Sequence, residues 1–425
     1  MEHFDSNGLV IVGSLIIIIS YLFNLVASRF SIPSVLLLIL LGLVLKGLVS
    51  ATGLETPNLT PILEVLGIIG LIMIVLEASL DLELEKEKRR VITRSFFTSL
   101  VTLLVSALAI GGVMSIYLSV DFSTGLLYAV PQSIMSSALI IPSVSALSED
   151  KRHLMIYEST CSDILGIMLF YFLINSLKAE SAGEKGLEIQ LNLSLTAMVS
   201  IAAGYFLIFL FQKIRTELKL FLLIAVLILL YAISKMFHLS SLLIILVFGL
   251  MLSNRQIFFP GKIRRYLNEE QMSGIFENFK MITLESSFVV RTFFFVIFGF
   301  TIVLASLLNF EVWLVSLLVL GILYGVRYGW FRLVIRKNIY PDIWMAPRGL
   351  ITILLFYSIP ETLVVEEFNE GILLLVILAS SIAMAVSLIR YRKGTKKTEY
   401  QDENGGPDDI LPKDGNSMSE EGIVN

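Results

Sequence analysis

Two carboxylates, Glu158 and Asp163, stand five residues apart in Glu158-Ser159-Thr160-Cys161-Ser162-Asp163, within a stretch from Ile156 to Leu177 that otherwise reads as a membrane-spanning helix. An ionised side chain at that depth costs about 2.5 to 3.5 kcal/mol on insertion scales, so such residues are rarely idle. Ser159 lies one turn before Asp163 on the same face. A carboxylate with a hydroxyl neighbour is a hard-oxygen site for a small monovalent cation or a proton. A hydrogen-bonded structural Asp is the competing reading, although Asn would fill that role at lower desolvation cost. Glu158 sits about 140° around the helix from Asp163 and needs a basic partner of its own. Arg348, in Ala346-Pro347-Arg348-Gly349, begins an otherwise neutral apolar span and is the expected partner. That pair would either anchor two helices or share in transport.

The remaining intramembrane charges are few. Glu285 and Arg291 flank Ser286-Ser287-Phe288-Val289-Val290 at the head of a Phe-rich span. They read as a second ion pair, as an arginine that compensates the ion site, or as ends that snorkel to the surface. Glu77, near the inner end of its own span, is a further candidate charge. Ser133, Ser136 and Ser137 occupy a segment interrupted by Pro131 and Pro142. Proline removes a helix amide, and an opened turn there would offer carbonyls, hydroxyls and opposed helix dipoles to a cation. A simple kink is the alternative.

The elements that must carry these residues are membrane helices. Of 425 residues 56% are hydrophobic and 16% charged, against about 25% charged in soluble domains, and mean hydropathy is +0.83. Thirteen apolar segments approach the roughly 20 residues a span requires: 9–28, 33–51, 61–80, 95–120, 123–148, 156–177, 193–212, 219–237, 239–253, 279–308, 311–333, 343–360 and 370–389. The first has no basic residue before it and reads as an uncleaved span rather than a signal peptide. The basic cluster Arg390 to Lys397 places the C-terminus in the cytoplasm, and an odd span count then puts the N-terminus outside. Apart from that cluster, the predicted inner loops carry seventeen Lys and Arg and the outer ends four. Residues 254 to 284 read as a cytoplasmic surface segment joining two halves. Gly321, Gly325 and Gly329 permit close packing within the chain or between copies.

Residues 1–397 therefore form the transmembrane domain, and 398–425 a disordered acidic cytoplasmic tail carrying eight acids and one base, net −7. The single cysteine, Cys161, excludes a disulfide framework, and His3, His153 and His238 are too scattered for a metal centre. No cofactor and no nucleic-acid partner is expected. A membrane enzyme would need a Ser/His dyad, a His-rich metal site or paired acids at a membrane face, and His153 and His238, at span edges, do not read as part of one.

In four patches the chain resembles the monovalent cation/proton antiporter superfamily, most closely its sodium/proton exchanger (CPA1-like) branch. Arg29-Phe30-Ser31-Ile32-Pro33 followed by Gly42 is similar to the approach to the family's second helix, and Leu71 to Leu80, with Glu77, to its third. Glu158-Ser159 through Ser162-Asp163 matches the pattern of its ion-site helix, and Arg348-Gly349 its late Arg-Gly motif. Phe293-Phe294-Phe295 ending at Gly299 adds to this. The resemblance implies an all-α fold of thirteen helices in two inverted repeats, with broken crossing helices and separate dimer and core regions. It also implies a homodimer that exchanges a cation, sodium or lithium favoured, for protons by alternating access. Asp163 would be the exchanging carboxylate and metal ligand, with Ser159, Ser136 and Ser137 as candidate cation ligands and Glu158 with Arg348 in support. The chain departs from the family at two places. Where sodium-type relatives carry Thr-Asp-Pro it has Ser136-Ser137-Ala138, closer to the serine-rich potassium/proton form, so potassium/proton exchange is the alternative, ahead of a channel or sensor. Before the key Asp it has Ser162, whose lack of charge favours electroneutral exchange.

Overall fold

Lipid offers the backbone no hydrogen bonds, so a chain this apolar must satisfy its amides within helices. Every regular element among the described residues of the computed structural model is helical. Those residues are 6–30, 33–51, 59–84, 87–182, 198–210, 219–236, 241–259, 269–302, 304–334, 336 and 339–404.

Among the described residues, nine spans are long and apolar enough to cross a membrane. They lie in α1 (Ser6–Phe30), α2 (Ser34–Ala51), α3 (Thr60–Asp81), α4 (Arg89–Leu118), the broken pair α5 (Phe122–Ser133) and α6 (Ser137–Ile140), α7 (Glu149–Ala182), α12 (Glu269–Thr301), α13 (Phe310–Val334) and α15 (Gly371–Asn404). Three helices have shorter apolar runs: α8 (Met198–Leu210), α9 (Lys219–Met236) and α10 (Ser241–Ser253). With the seven-residue α14 (Leu350–Phe356), these occupy the thirteen expected segments. The short α11 (Arg255–Phe258) follows α10.

Three expectations are corrected. The amphipathic stretch before residue 284 is no separate surface segment from Glu269 onward, because it continues unbroken into the tenth span as α12. Met272, Ile275 and Phe279 recur on one buried face of that helix and hold it against the protein. The cluster from Gly261 to Arg265 lies outside the described residues. In α13, a Cβ on Gly321, Gly325 or Gly329 would meet nothing within 4 Å, so close packing within the chain does not explain these glycines. The last helix continues to Asn404, past the boundary expected at 397, and 405–425 lie outside the described residues.

The helices pack in two groups. Helices α1, α2, α3, α9, α10 and α12 contact one another, while α4, α5, α6, α7, α13, α14 and α15 form the second set. The groups meet where α3 packs on α7 and α14, with α10 also touching α7. Helices α2 and α12 approach so closely that a Cβ on Gly42 would run into the backbone of Val296 to Phe300, and one on Gly299 into that of Ile39.

Candidate functional site

The helix that carries Glu158 and Asp163 is longer than its apolar stretch. It begins at Glu149, where Glu149 and Asp150 complement the positive end of the helix dipole. Asp163 thus lies fourteen residues in, about 21 Å along the axis at 1.5 Å per residue, in the middle of the span and 1% exposed.

Opposite it the fifth span opens. Pro131 stays inside the last turns of α5, and the break falls after it at 134–136, with Ile134 and Ser136 extended. Proline crowds the carbonyl one turn back and removes an amide, which weakens the helix end. Two side chains of that end bond back to carbonyls one turn earlier. Gln132 Nε2 donates to Tyr128 O at 3.2 Å, and Ser133 Oγ donates to Ala129 O at 2.9 Å. Pro142 opens the following 3-10 turn, Ile141–Ala146.

Three side chains hold the break. Ser137 N donates to Asp163 Oδ2 at 3.2 Å, and Ser137 Oγ donates to the same oxygen. Ser162 Oγ accepts from Met135 N at 3.0 Å. The Arg348 guanidinium covers the carbonyl end of α5, with Nε on Gln132 O at 2.9 Å and Nη2 on Ser133 O at 3.2 Å, while Nη1 reaches Ala346 O at 2.5 Å. A cation there suits the negative end of a helix and replaces amides that the broken chain no longer supplies. The segment before α14 crosses at the same point, since Ser136 N donates to Pro347 O at 3.0 Å. Gly349 is required for that crossing: a Cβ there would lie 2.7 Å from Ser136 Oγ.

The expected Glu158–Arg348 ion pair is therefore corrected. Arg348 spends its donors on carbonyls, and Glu158 is bound by Arg327 of α13, through Nη1 to Oε1 and through Nη2 to Oε2 at 3.1 Å. This two-nitrogen fork is almost wholly buried. Arg327 also donates from Nε to Asp342 O at 2.9 Å and lies 4.5 Å over the Phe331 ring. The available signal was Arg327 itself, five residues before Arg332 and still inside the eleventh span, where charge seldom occurs without a buried partner. Below it, Asp342 Oδ2 pairs with Lys151 at 3.0 Å. Burial pushes the Asp342 carboxyl above its usual range, with Lys151 opposing the shift.

Ser159, expected as a ligand, donates to Ile156 O of its own helix at 3.1 Å. Arg291 pairs with Glu77, not with Glu285, which is exposed on α12. Six residues apart on one helix, Glu285 and Arg291 point to different sides.

What remains for chemistry is an oxygen. Asp163 Oδ1 is buried and accepts no hydrogen bond among the described residues. The same holds for Gln132 Oε1 on α5, Thr160 Oγ1 on α7 and Thr352 Oγ1 on α14, helices that pack together at the crossing. Gln132 and Thr352 had no distinguishing signal, because polar residues near span breaks are read from spacing and their side-chain partners are not.

The family profile described as sodium/hydrogen exchanger, transmembrane, matches residues 14–391. The chain belongs to the sodium/hydrogen exchanger family. It is an integral membrane protein, and its family is one of transporters. Two solved structures of the sodium proton antiporter MjNhaP1 from Methanocaldococcus jannaschii share the fold of this exchanger. The one determined at pH 8 has 18% identity and a TM-score of 0.66, covering 92% of this chain and 98% of that one. The other, from an electron-microscopy map, has 18% identity and a TM-score of 0.63, covering 96% and 100%. No curated protein sequence matches this exchanger.

Proposed function

We propose that this exchanger carries a monovalent cation, sodium or lithium, against protons, with Asp163 as the one site that both occupy in turn. The observation that carries the reading is the divided Asp163 carboxylate: Oδ2 is held by Ser137 at the helix break, while Oδ1 is buried without a partner among the described residues. A proton on Oδ1 leaves the site neutral, and a cation bound there does the same. An empty ionised site is the costly state in lipid, so return without either ligand is disfavoured and exchange follows from mass action. Ser136 and Ser137 line the break as candidate cation ligands, with Glu158 and Arg327 fastening α7 to α13 and Arg348 fastening α5 to the crossing.

One carboxylate exchanging one proton for one monovalent ion moves no net charge. Ser162 adds no second carboxylate beside Asp163, and its hydroxyl is engaged with Met135. Alternating access by the α7-containing group against the α3-containing group is consistent with the packing in two sets. The excess of Lys and Arg on one side supports an outer N-terminus and a cytoplasmic C-terminus, and the family resemblance supports a homodimer. The test is a cation panel in proteoliposomes bearing a pH gradient. Sodium or lithium should collapse the gradient without building a membrane voltage. A response to potassium alone would transfer the assignment to potassium/proton exchange, and a voltage would refute electroneutrality.

A further inference from the structure

Three intramembrane arginines hold polar positions in this fold, and they differ in how fully they are engaged. Arg327 grips Glu158 with two nitrogens and a backbone carbonyl with the third, and Arg348 is bonded to three carbonyls. Arg291 is held loosely. Its Nη2 alone serves both oxygens of Glu77, at 3.3 and 3.4 Å, whereas a charge-assisted bond of this kind is usually about 2.7 to 2.9 Å. Its Nε is buried and has no hydrogen-bond partner among the described residues. The pair is only partly shielded, with side chains 16% and 13% exposed.

Its position matters as much as its looseness. Glu77 is on α3, the helix of the first group that packs on α7 and α14 of the second. Tyr157 Oη of α7 donates to Glu83 O just past the end of α3 at 3.3 Å, and six residues further into the membrane along each of these oppositely running helices stand Glu77 and Asp163, at the same depth of that junction. Arg291 is on α12, which packs against α3 within the first group. A cation arriving at Asp163 and the guanidinium of Arg291 therefore draw on the same negative field.

We propose that Arg291 is a positioning and affinity-setting residue, a tethered counter-cation that neutralises Glu77 beside the ion site and yields it when the transported cation binds. The inference rests on the reading of Asp163 given above. A ligand that must displace an internal competitor binds more weakly than the bare site would allow. Arg291 thereby holds the cation KM high, which favours release on the far side.

The experiment measures KM and kcat for sodium-driven proton movement in proteoliposomes at one fixed pH. Arg291→Gln should lower the sodium KM by about five-fold or more, with no matching rise in kcat. Arg291→Lys, which keeps the charge, should restore the wild-type KM. In a Glu77→Gln background Arg291→Gln should shift nothing further. An unchanged or raised KM in Arg291→Gln, or the same drop with Glu77 already neutral, overturns the proposal. Should Arg291→Gln fail to fold, Glu77→Gln alone decides: a raised KM supports the shared field, and an unchanged one overturns it. Asp163→Asn in the same vesicles tests the underlying reading separately. Its inactivity beside an unmoved Arg291→Gln KM would defeat the role of Arg291 and leave Asp163 standing, whereas full activity would defeat the reading of Asp163.

Discussion

At the scale of residues, three charges that the composition makes conspicuous divide into three tasks. Among the described residues Asp163 keeps an oxygen uncommitted, Glu158 is consumed in an ion pair, and Arg348 substitutes for amides at a broken helix. Removing one side of the buried pair should be costly. Arg327→Gln leaves Glu158 uncompensated and is expected to destabilise the protein by about 3 to 5 kcal/mol, read as a lower unfolding temperature in detergent. Glu158→Gln added to it should recover much of that loss, and a double variant no better than the single would contradict the pairing. The carboxylates were legible in the sequence because charge is rare in lipid. Their partners were not, since helical periodicity tells which face a residue occupies on its own helix and nothing about which neighbouring helix meets that face. Arg348 and Arg327 both lie in spans, and packing alone assigns Glu158 to Arg327.

At the scale of elements, helix ends and close approaches can be tested one at a time. Helix α5 is capped by Asp121, whose carboxylate accepts from Thr124 N at 3.0 Å and from Thr124 Oγ1 at 2.8 Å. The Thr124 amide holds the Asp121 carboxyl below its usual range, against a smaller opposing effect of burial. A depressed carboxyl stabilises the fold above its unfolded-state value and loses that contribution as pH falls through its folded value. Asp121→Ala should therefore cost about 1 kcal/mol at neutral pH, and the difference from wild type should vanish once the pH is below the usual carboxylate range. A difference independent of pH would contradict the charged cap. Between α2 and α12, Gly299→Ala places a methyl against the backbone of Ile39 and should destabilise by about 1 to 3 kcal/mol, measured by thermal unfolding; a neutral result would show the helices free to part. The broken fifth span was legible from its prolines. Its point of opening was not, because Pro131 is accommodated within α5 and the chain leaves the helix only where Ser162, Asp163 and Arg348 can receive the freed groups.

At the scale of the molecule, thirteen apolar segments and four family-like patches were enough to reach the antiporter fold, whereas the grouping of helices into two sets came from packing. That grouping predicts motion at the seam of α3 with α14, where a Cβ on Gly67 would lie 3.5 Å from Leu354 Cδ2. Cysteines at Gly67 and Leu354, joined by a short bis-maleimide, should block exchange, and full activity after complete cross-linking would argue against relative movement of the two sets. The central claim, that one carboxylate serves both ions, is tested most directly by proton release. Sodium added to the purified protein in weakly buffered detergent solution should release protons saturably, and Asp163→Asn should release none. Sodium binding without proton release in the wild type, or undiminished release from Asp163→Asn, would contradict the account.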